Sequence, residues 1–279
     1  MIDGCIHTNS NLRGGIVLGK WILRIIAYTI LLFILIPIIT VVLSSLTNSN
    51  YVMFPPEGIT LKWYVEAFQN SNYMSAIGTS VLIAAGSAIL SIILALCASF
   101  AIKRYEFPGK RLLDTLFFAP ITIPMIGLGI GLLFFLTSIG LVRTTVGLIL
   151  SHTVIGVPYA IRALLASVGG INRDVEHSAA ILGANPFSVL TKVTLPMILP
   201  GLMAGWMFSF LISFNNVNIS IFIAGPYTET LPLALYQLTE NSLSPVVASL
   251  SSLAIFLVAI LVIILEKRFG IYSMLGKGN

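Results

Sequence analysis

Long apolar runs decide the fold, and the first of them, residues 22–46, reads ILRIIAYTILLFILIPIITVVLSSL. A helix needs about 20 residues to cross the hydrocarbon core of a bilayer, and this run exceeds that length with Arg24 as its one charged residue. Further apolar runs occupy residues 74–102, 112–136, 145–167, 198–223 and 246–265. Together they predict an all-α, polytopic membrane protein with six transmembrane helices.

The composition agrees with this interpretation. The chain of 279 residues is 57% hydrophobic and 9% charged, which excludes an ordinary soluble domain. Its two cysteines, Cys5 and Cys97, lie far apart, so the sequence offers neither a disulfide framework nor a cysteine-rich metal site, and no metal is expected.

The orientation follows from the distribution of Lys and Arg, because positive charge is retained on the cytoplasmic side. If the N-terminus is inside, all of the fifteen Lys and Arg except Lys62 and Arg143 fall on inner segments. We therefore expect both termini to be cytoplasmic. The net charge of +5 then reflects topology and does not indicate nucleic-acid binding.

The predicted organisation has four parts. A cytoplasmic tail covers 1–20, and the first transmembrane helix with an outer loop covers 21–73. A core membrane domain with five transmembrane helices covers 74–269, and a second cytoplasmic tail covers 270–279. Residues 61–68 of the outer loop mix aromatic and charged side chains, which predicts a short helix at the membrane interface.

The inner loop, residues 169–196, contains signals for two short helices. Asn172 is a helix N-cap residue, and Gly183 stands where a helix typically ends in left-handed geometry. Asn185 and Pro186 form the cap and first residue of a second helix. We therefore expect two helices, joined at Gly183, to project from the inner face.

The same loop carries a family motif. Residues 175–184 read VEHSAAILGA, and VTLP follows at 193–196, separated from Gly183 by nine residues. This resembles the EAA loop of binding-protein-dependent ABC importer permeases, whose pattern is Glu-Ala-Ala, three residues, Gly, nine residues and Ile-x-Leu-Pro. Here His177 and Ser178 stand at the places of the Glu and the first Ala, Glu176 lies one residue earlier, and Val193 replaces Ile.

The resemblance covers about 74–269 and implies the type I ABC importer permease fold. It also implies that the loop couples this chain to a separate ATPase. Either Glu176 or His177 would make the polar contact to that ATPase, and Glu176 is preferred because it has the chemistry of the motif acid. The coupling residues that the resemblance implies are Glu176, His177, Ser178, Ala179, Gly183, Ala184, Leu195 and Pro196.

Further stretches resemble one subfamily. Residues 213–217 (SFNNV), 225–226 (GP), 230–233 (TLPL) and 266–270 (EKRFG) are similar to the second permease subunit of spermidine/putrescine importers. Those relatives typically have two acids after Ser-Phe, where this chain has Asn215 and Asn216. The resemblance implies that the chain forms half of the pathway for a polyamine or a related small solute.

The resemblance also implies the partners. They are an ABC ATPase dimer, a second permease subunit that is distinct or identical, an extracytoplasmic solute-binding protein and the lipid of a prokaryotic cytoplasmic (inner) membrane. The sequence has no Gly-x-x-x-x-Gly-Lys-Ser/Thr segment to bind phosphates, so we expect no catalytic residues and no ATP hydrolysis in this chain. ATP and Mg would be cofactors of the partner ATPase, with none in this chain.

Polar residues inside the spans are candidates for the solute pathway. Ser209, Ser213, Asn216 and Ser220 recur on one face of the fifth span. That face either forms hydrogen bonds between helices or lines the route. Asn215, beside this face, and His152, the one ionisable side chain well inside the fourth span, are further candidates. His152 has the same two alternatives, a single interhelical hydrogen bond or a functional role.

Two other expectations concern packing and a competing function. Pro120 and Pro124 should bend the third span. Gly127 and Gly131 in the third span, and Gly201 and Gly205 in the fifth, have the spacing that lets helices approach closely. The competing function is an ion-coupled secondary transporter that works without an ATPase. Such a transporter usually needs a buried acid, and the middle of each predicted span lacks one.

Overall fold

A computed structural model describes residues 8–241 and 244–270, with side chains from residue 21 onward, and all regular structure in this part of the chain is helical. One helix contains a π-helical turn at Leu190–Thr194. The helices are α1 (Thr8–Ser44), α2 (Lys62–Gln69), α3 (Ser71–Arg104), α4 (Lys110–Thr122), α5 (Met125–Ser138), α6 (Thr145–Gly169), α7 (Arg173–Ile181), α8 (Pro186–Val189), α9 (Leu195–Met197), α10 (Leu199–Phe214), α11 (Asn218–Ile223), α12 (Leu231–Asn241) and α13 (Pro245–Phe269).

Among the described residues, four continuous helices are long and apolar enough to span a membrane: Trp21–Ser44 of α1, and α3, α6 and α13. Two bent helix pairs also pass this test together, which gives up to six spans if each pair counts as one. The prediction of an all-α, polytopic membrane protein is confirmed. We use inner and outer for the two sides as the charge pattern assigns them.

The first helix begins earlier than the apolar run. The predicted cytoplasmic tail, residues 1–20, contains the start of α1, which runs from Thr8 to Ser44. Adding residues to an existing helix costs less than nucleating one, although Gly14, Gly15 and Gly19 each cost about 1 kcal/mol relative to Ala. Of the two predicted tails, residues 1–7 and 271–279 lie outside the described part of the chain.

The third predicted span, 112–136, is two helices and not one. The axes of α4 and α5 meet at 108°. The break falls at Pro124, which lacks an N–H and forces the preceding Ile123 into extended geometry with φ −81° and ψ 134°. The predicted bend is confirmed, although Pro120 lies within α4 and only Pro124 marks the break.

The fifth predicted span, 198–223, is also interrupted. It enters from the loop with a bend of 68° between residues 186–197 and α10. Pro196 and Pro200 flank that bend, and neither can donate the backbone hydrogen bond that a straight helix requires. Farther along, α10 stops at Phe214 and α11 starts at Asn218. We call residues 215–217 the break.

The described chain divides into two compact units. One contains residues 8–65 and 244–252, and in it the predicted interfacial helix begins as α2. The Trp63 indole donates to the Thr47 carbonyl at 2.8 Å, and the Tyr64 hydroxyl lies 2.6 Å from Ser45 and 3.0 Å from Ser252. These hydrogen bonds anchor the start of α2 within its unit.

The other unit contains residues 66–241 and 253–270, and α3, α6 and α10 form its centre. Two apolar clusters hold these helices together, one around Ile161 and Leu164, the other around Ile155 and Ile219. At Gly205 an added Cβ would lie 3.3 Å from the Ala160 backbone, and at Gly201 it would overlap Ser167. The predicted close approach is confirmed at these two glycines. At Gly127 and Gly131 an added Cβ would meet no described atom within 4 Å, so the structure shows no close approach there.

Candidate functional site

The inner loop begins both of its helices with asparagine caps. The Asn172 side chain accepts from the Asp174 N–H at 2.9 Å, and α7 follows. The Asn185 side chain accepts from the Ser188 N–H at 2.8 Å, with Pro186 as the first residue of α8. Each cap satisfies a backbone donor that has no partner within its own helix, so the two starts predicted from sequence are confirmed.

Gly183 ends α7 in left-handed geometry, with φ +89°. Its N–H donates to the Ala180 carbonyl at 3.0 Å, and the Ala184 N–H donates to the Ala179 carbonyl at 3.1 Å. This pair of bonds is the Schellman motif, which reverses the chain within two residues. The predicted glycine stop is therefore confirmed.

Large apolar side chains project from the turn between these helices. Ile181 is 85% exposed, Leu182 is 88% exposed and Phe187 is 74% exposed. We call these three residues the apolar tip. Because the caps and the Schellman turn fix the backbone on both sides, the tip is presented by an ordered scaffold.

Glu176, in contrast, points into its own chain. Its carboxylate accepts from the Arg104 guanidinium at 2.5 Å and from the Thr194 hydroxyl, and only 11% of its side chain is exposed. Partial burial raises the pKa of Glu176, but these hydrogen bonds and the charges of Arg104 and Arg173 outweigh burial and lower it. Glu176 thus ties α7 to the inner end of α3 and to the π-helical turn.

The other predicted coupling residues are spread over both faces of the loop. His177 and Ser178 are exposed, and Pro196 is exposed beside the bend. Leu195 packs against the apolar cluster around Ile161 and Leu164. The structure thus brings Glu176 into a polar cluster with Arg104 and Thr194 and leaves His177 free to face outward.

The serines of the fifth span are buried and bonded within the chain. The Ser209 hydroxyl donates to the Gly156 carbonyl at 3.0 Å, so it joins α10 to α6. The Ser213 hydroxyl lies 2.8 Å from His152 Nδ1, and that of Ser220 lies 3.3 Å from His152 Nε2. The serine hydroxyls on this face of the fifth span thus form hydrogen bonds between helices, which is one of the two alternatives that the sequence left open.

The two asparagines of the break have different surroundings. Asn216 is buried, and its side chain accepts from the Ile219 N–H at 2.9 Å, which caps α11. Asn215 is exposed, and its amide donates to the Leu211 carbonyl in its own helix at 3.0 Å. Asn218, the first residue of α11, is also exposed. Asn215 and Asn218 are therefore the exposed asparagines at the break, while the Asn216 side chain bonds to the backbone at the start of α11.

Sequence reasoning missed several members of these sites. Arg104 reads as one of many inner positive charges, and Thr194 occupies the unspecified position of the Leu-Pro motif. Asn218 lies just beyond the similar stretch 213–217. The one signal for Asn218 in the sequence is its residue type, because Asn favours helix termini and Asn218 lies three residues after Asn215.

Long apolar helices, two of them bent pairs, with buried polar contacts between them define a polytopic membrane protein. Residues 87–270 match the family described as binding-protein-dependent transport system inner membrane component, and the chain belongs to this family of ABC importer permeases. It is 29% identical over 250 residues to the spermidine/putrescine transport system permease protein PotC of Escherichia coli, covering 90% of this chain and 92% of that protein.

Two further comparisons agree. The permease protein of the same name from Haemophilus influenzae is 30% identical over 237 residues, covering 85% of this chain and 92% of the relative. A chain in the crystal structure of a bacterial ABC transporter involved in the import of the acidic polysaccharide alginate superposes with a TM-score of 0.69 at 18% identity, covering 94% of this chain and 99% of that one. This likeness supports the fold alone.

Proposed function

We propose that this chain is one of two permease subunits of an ATP-driven importer and that the inner loop couples it to an ABC ATPase dimer. The apolar tip is the observation that carries the proposal. The loop also contains Arg173 and lies against Lys103 and Arg104, so the positive-inside rule assigns it to the cytoplasm. Three large apolar side chains exposed to water there call for a protein partner.

The size of the tip suits a coupling contact. Burial of a side chain such as Leu, Ile or Phe contributes about 1.5–3 kcal/mol. A groove that buries the tip would therefore supply a substantial part of the free energy of a protein–protein contact. The Schellman turn orders the chain between α7 and α8, and the tip residues lie at the ends of these helices and in the turn. Movement of the ATPase would therefore be transmitted to the loop as a rigid displacement.

The polar contact to the ATPase is assigned to His177. Glu176 already binds Arg104 and Thr194, and removing it from them would leave a guanidinium without its partner. His177 is exposed and stands at the place of the motif acid. This reverses the preference for Glu176 that its chemistry alone suggests. ATP and Mg would be bound by the ATPase, and this chain would supply the route.

The solute is proposed to be a polyamine or a related small solute. The relatives from Escherichia coli and Haemophilus influenzae are named as permease proteins of spermidine/putrescine transport systems, which supports this class of solute. The exposed amide of Asn215 offers hydrogen bonds where a carboxylate would attract a cation by up to several kcal/mol at an effective dielectric constant of about 20. Selection by charge would therefore rest mainly on an extracytoplasmic solute-binding protein.

The proposed setting is the inner membrane of a prokaryote. Residues 21–39 of α1 are exposed and mostly apolar, which suits contact with lipid. The proposed organisation retains a cytoplasmic loop at 169–196 inside a core of 74–269, with both termini cytoplasmic.

Copurification tests this function. A tagged chain extracted from its native membranes in mild detergent should bring along an ABC ATPase and a second permease. Leu182→Glu should lose the ATPase and keep the second permease, because only the tip is changed. Ile59→Glu, at an apolar residue of the outer loop that is 83% exposed, is the matched control and should keep both.

The outcome that would reject the proposal is equally specific. If the purified chain alone, reconstituted in vesicles, accumulates solute under a proton or sodium gradient, the chain is a secondary transporter.

A further inference from the structure

A single imidazole joins the two helices on either side of the break. His152, on α6, is 1% exposed and has both ring nitrogens within reach of a hydroxyl. Nδ1 lies 2.8 Å from Ser213, in the last turn of α10, and Nε2 lies 3.3 Å from Ser220, on α11. A third serine, Ser87 of α3, donates to Ser213 at 3.0 Å.

One tautomer satisfies the whole set. With the proton on Nε2, the imidazole donates to Ser220, and Ser220 donates to the Asn216 carbonyl at 3.0 Å. Nδ1 then accepts from Ser213, which in turn accepts from Ser87. Each buried donor meets an acceptor, so the neutral imidazole fits without an uncompensated group. The resulting chain of bonds runs from α3 through α10 and α6 to α11.

The short helix α11 depends on such contacts. It has six residues, Asn218–Ile223, and an isolated helix of this length is unstable because nucleation is costly. On its other side α11 packs against α5, where a Cβ at Gly129 would lie 2.6 Å from the Phe222 ring. Its direction is therefore set by α5 and α6 and not by continuation of α10.

We infer that His152 is a positioning residue that fixes α11 relative to α10 and thereby the placement of Asn215 and Asn218. Those amides are exposed at the break inside a predicted span, where lipid would leave their hydrogen-bonding groups without partners. The inference that their placement affects the solute rests on the proposed function. The inference that His152 sets their placement rests on the hydrogen bonds alone.

Cysteine alkylation tests the placement directly. In a full-length chain with Cys5→Ser and Cys97→Ser, single cysteines are introduced as Asn215→Cys, Asn218→Cys or Tyr227→Cys. Membrane vesicles are then treated with a membrane-impermeant maleimide, and the rate of labelling is measured at each site. His152→Leu should change the rates at 215 and 218 by about fivefold or more, the scale expected when a buried hydrogen bond is lost.

Controls separate positioning from general loss of structure. Tyr227 is 95% exposed and outside the break, so its labelling should be unchanged. Thr153→Val is the matched core variant, because the Thr153 hydroxyl bonds only within its own helix, to the Ile149 carbonyl. It should leave all three rates as they are. His152→Gln, which replaces the imidazole with an amide that can still reach one hydroxyl, should give labelling rates between those of wild type and His152→Leu.

Ser220→Ala keeps the test decisive if His152→Leu fails to reach the membrane. It removes only the α11 end of the bridge and should change labelling at 218 more than at 215. Unchanged rates at both positions in His152→Leu, or in Ser220→Ala if that is the variant obtained, would overturn the inference. Equal changes at 227 would also overturn it, since they would report a general effect.

Uptake by the complete transporter is the second measurement. His152→Leu should alter the KM for solute, which a variant that only lowers the amount of folded protein would not do. An unaltered KM alongside altered labelling would limit His152 to shaping the break and reject its effect on the solute. Absence of ATP-driven uptake in the wild type would reject the proposed function, and labelling would still decide the role of His152.

Discussion

Helices stop at the inner loop and at the break, but for different physical reasons. In the inner loop each helix end is marked by a residue that acts on its own backbone, as Asn172 and Gly183 do. At the break, α11 is held by His152 of α6 and by packing of its own Phe222 against Gly129 of α5, and both partner helices are distant in sequence. The loop is thus a locally encoded shape, and the break is a shape imposed by packing.

The difference matters for how each region responds to change. A substitution in the loop should act through one or two backbone angles and leave the membrane core intact. A substitution near the break should act through several helices, because its hydrogen bonds join α3, α6, α10 and α11. The following variants test that contrast, beginning with the largest expected effect.

Gly183→Val should abolish transport, with more than a tenfold loss in uptake. A Cβ at Gly183 would meet nothing within 4 Å, so the whole effect comes from its φ of +89°, which strains a β-branched residue by about 1–2 kcal/mol or more. Gly183→Asn, which tolerates left-handed geometry, should retain most activity. Uptake is measured at matched membrane levels.

Gly78→Val is the control for inserting a β-branched residue, since Gly78 also has open space but lies inside α3. It should transport normally. Normal transport by Gly183→Val would show that the turn geometry is dispensable and would remove the coupling assignment.

Breaking the Arg104–Glu176 pair should loosen the loop less severely. Arg104→Ala leaves the carboxylate without its charged partner, and because Arg104 is partly exposed the cost is about 1 kcal/mol. Protease cleavage within 169–196, measured on inside-out vesicles, should become several times faster. Lys110→Ala removes the surface pair with the exposed Glu106 and should have no such effect.

The same pair gives the loop a pH dependence. Since the pKa of Glu176 in the folded loop is below its ordinary 4.5, its stabilising contribution is fully present above that ordinary value. It is lost as the pH falls through the lowered pKa. Protease cleavage of the wild-type loop should therefore rise only in acid, and Glu176→Gln should remove that rise. A rise at neutral pH would contradict the assignment.

The two asparagines of the break should separate stability from transport. Asn216→Ala removes the cap of α11, which typically costs about 1 kcal/mol, and should lower the melting temperature in detergent. Asn215→Ala should leave the melting temperature unchanged and slow uptake per folded molecule, because its side chain is exposed. If both variants lower the melting temperature equally, Asn215 packs as Asn216 does.

The smallest effects are expected at buried serines that differ only in their partners. Ser209→Ala loses a bond to the Gly156 carbonyl, worth about 0.6 kcal/mol in a membrane protein. The Ser99 hydroxyl is buried without a hydrogen-bond partner among the described residues, so Ser99→Ala should be neutral or slightly stabilising. Chemical unfolding in detergent compares the two variants. The reverse order would contradict both assignments.

Much of the inner loop could be predicted from sequence because its determinants are local. The caps at Asn172 and Asn185 and the stop at Gly183 act within four residues of themselves, so the local sequence contains the whole cause. The partner of Glu176 could not be predicted in this way. Arg104 lies 72 positions earlier, and only packing of α3 beside α7 brings the two together.

The membrane core shows the same limit. Hydrophobicity located the spans, and proline located the bend at Pro124, because both properties are local. The break at 215–217 lies in an apolar stretch without proline, and its asparagines indicate only a possible helix end. The hydrogen bonds of His152 to two of the serines could not be predicted from sequence. They depend on the crossing of α6 with α10 and α11, which is a tertiary property.

The π-helical turn at Leu190–Thr194 sets the rotational phase of the inner loop. A π turn holds one more residue than an α turn, so the backbone before it is rotated relative to the backbone after it. If the same residues adopted α geometry instead, α8 would rotate by about 100° about its axis relative to the backbone after the turn. Phe187 would then face a different side, and Thr194 would turn from Glu176. The number of residues in a helical turn, as well as their identity, thus determines which face of the inner loop meets a partner.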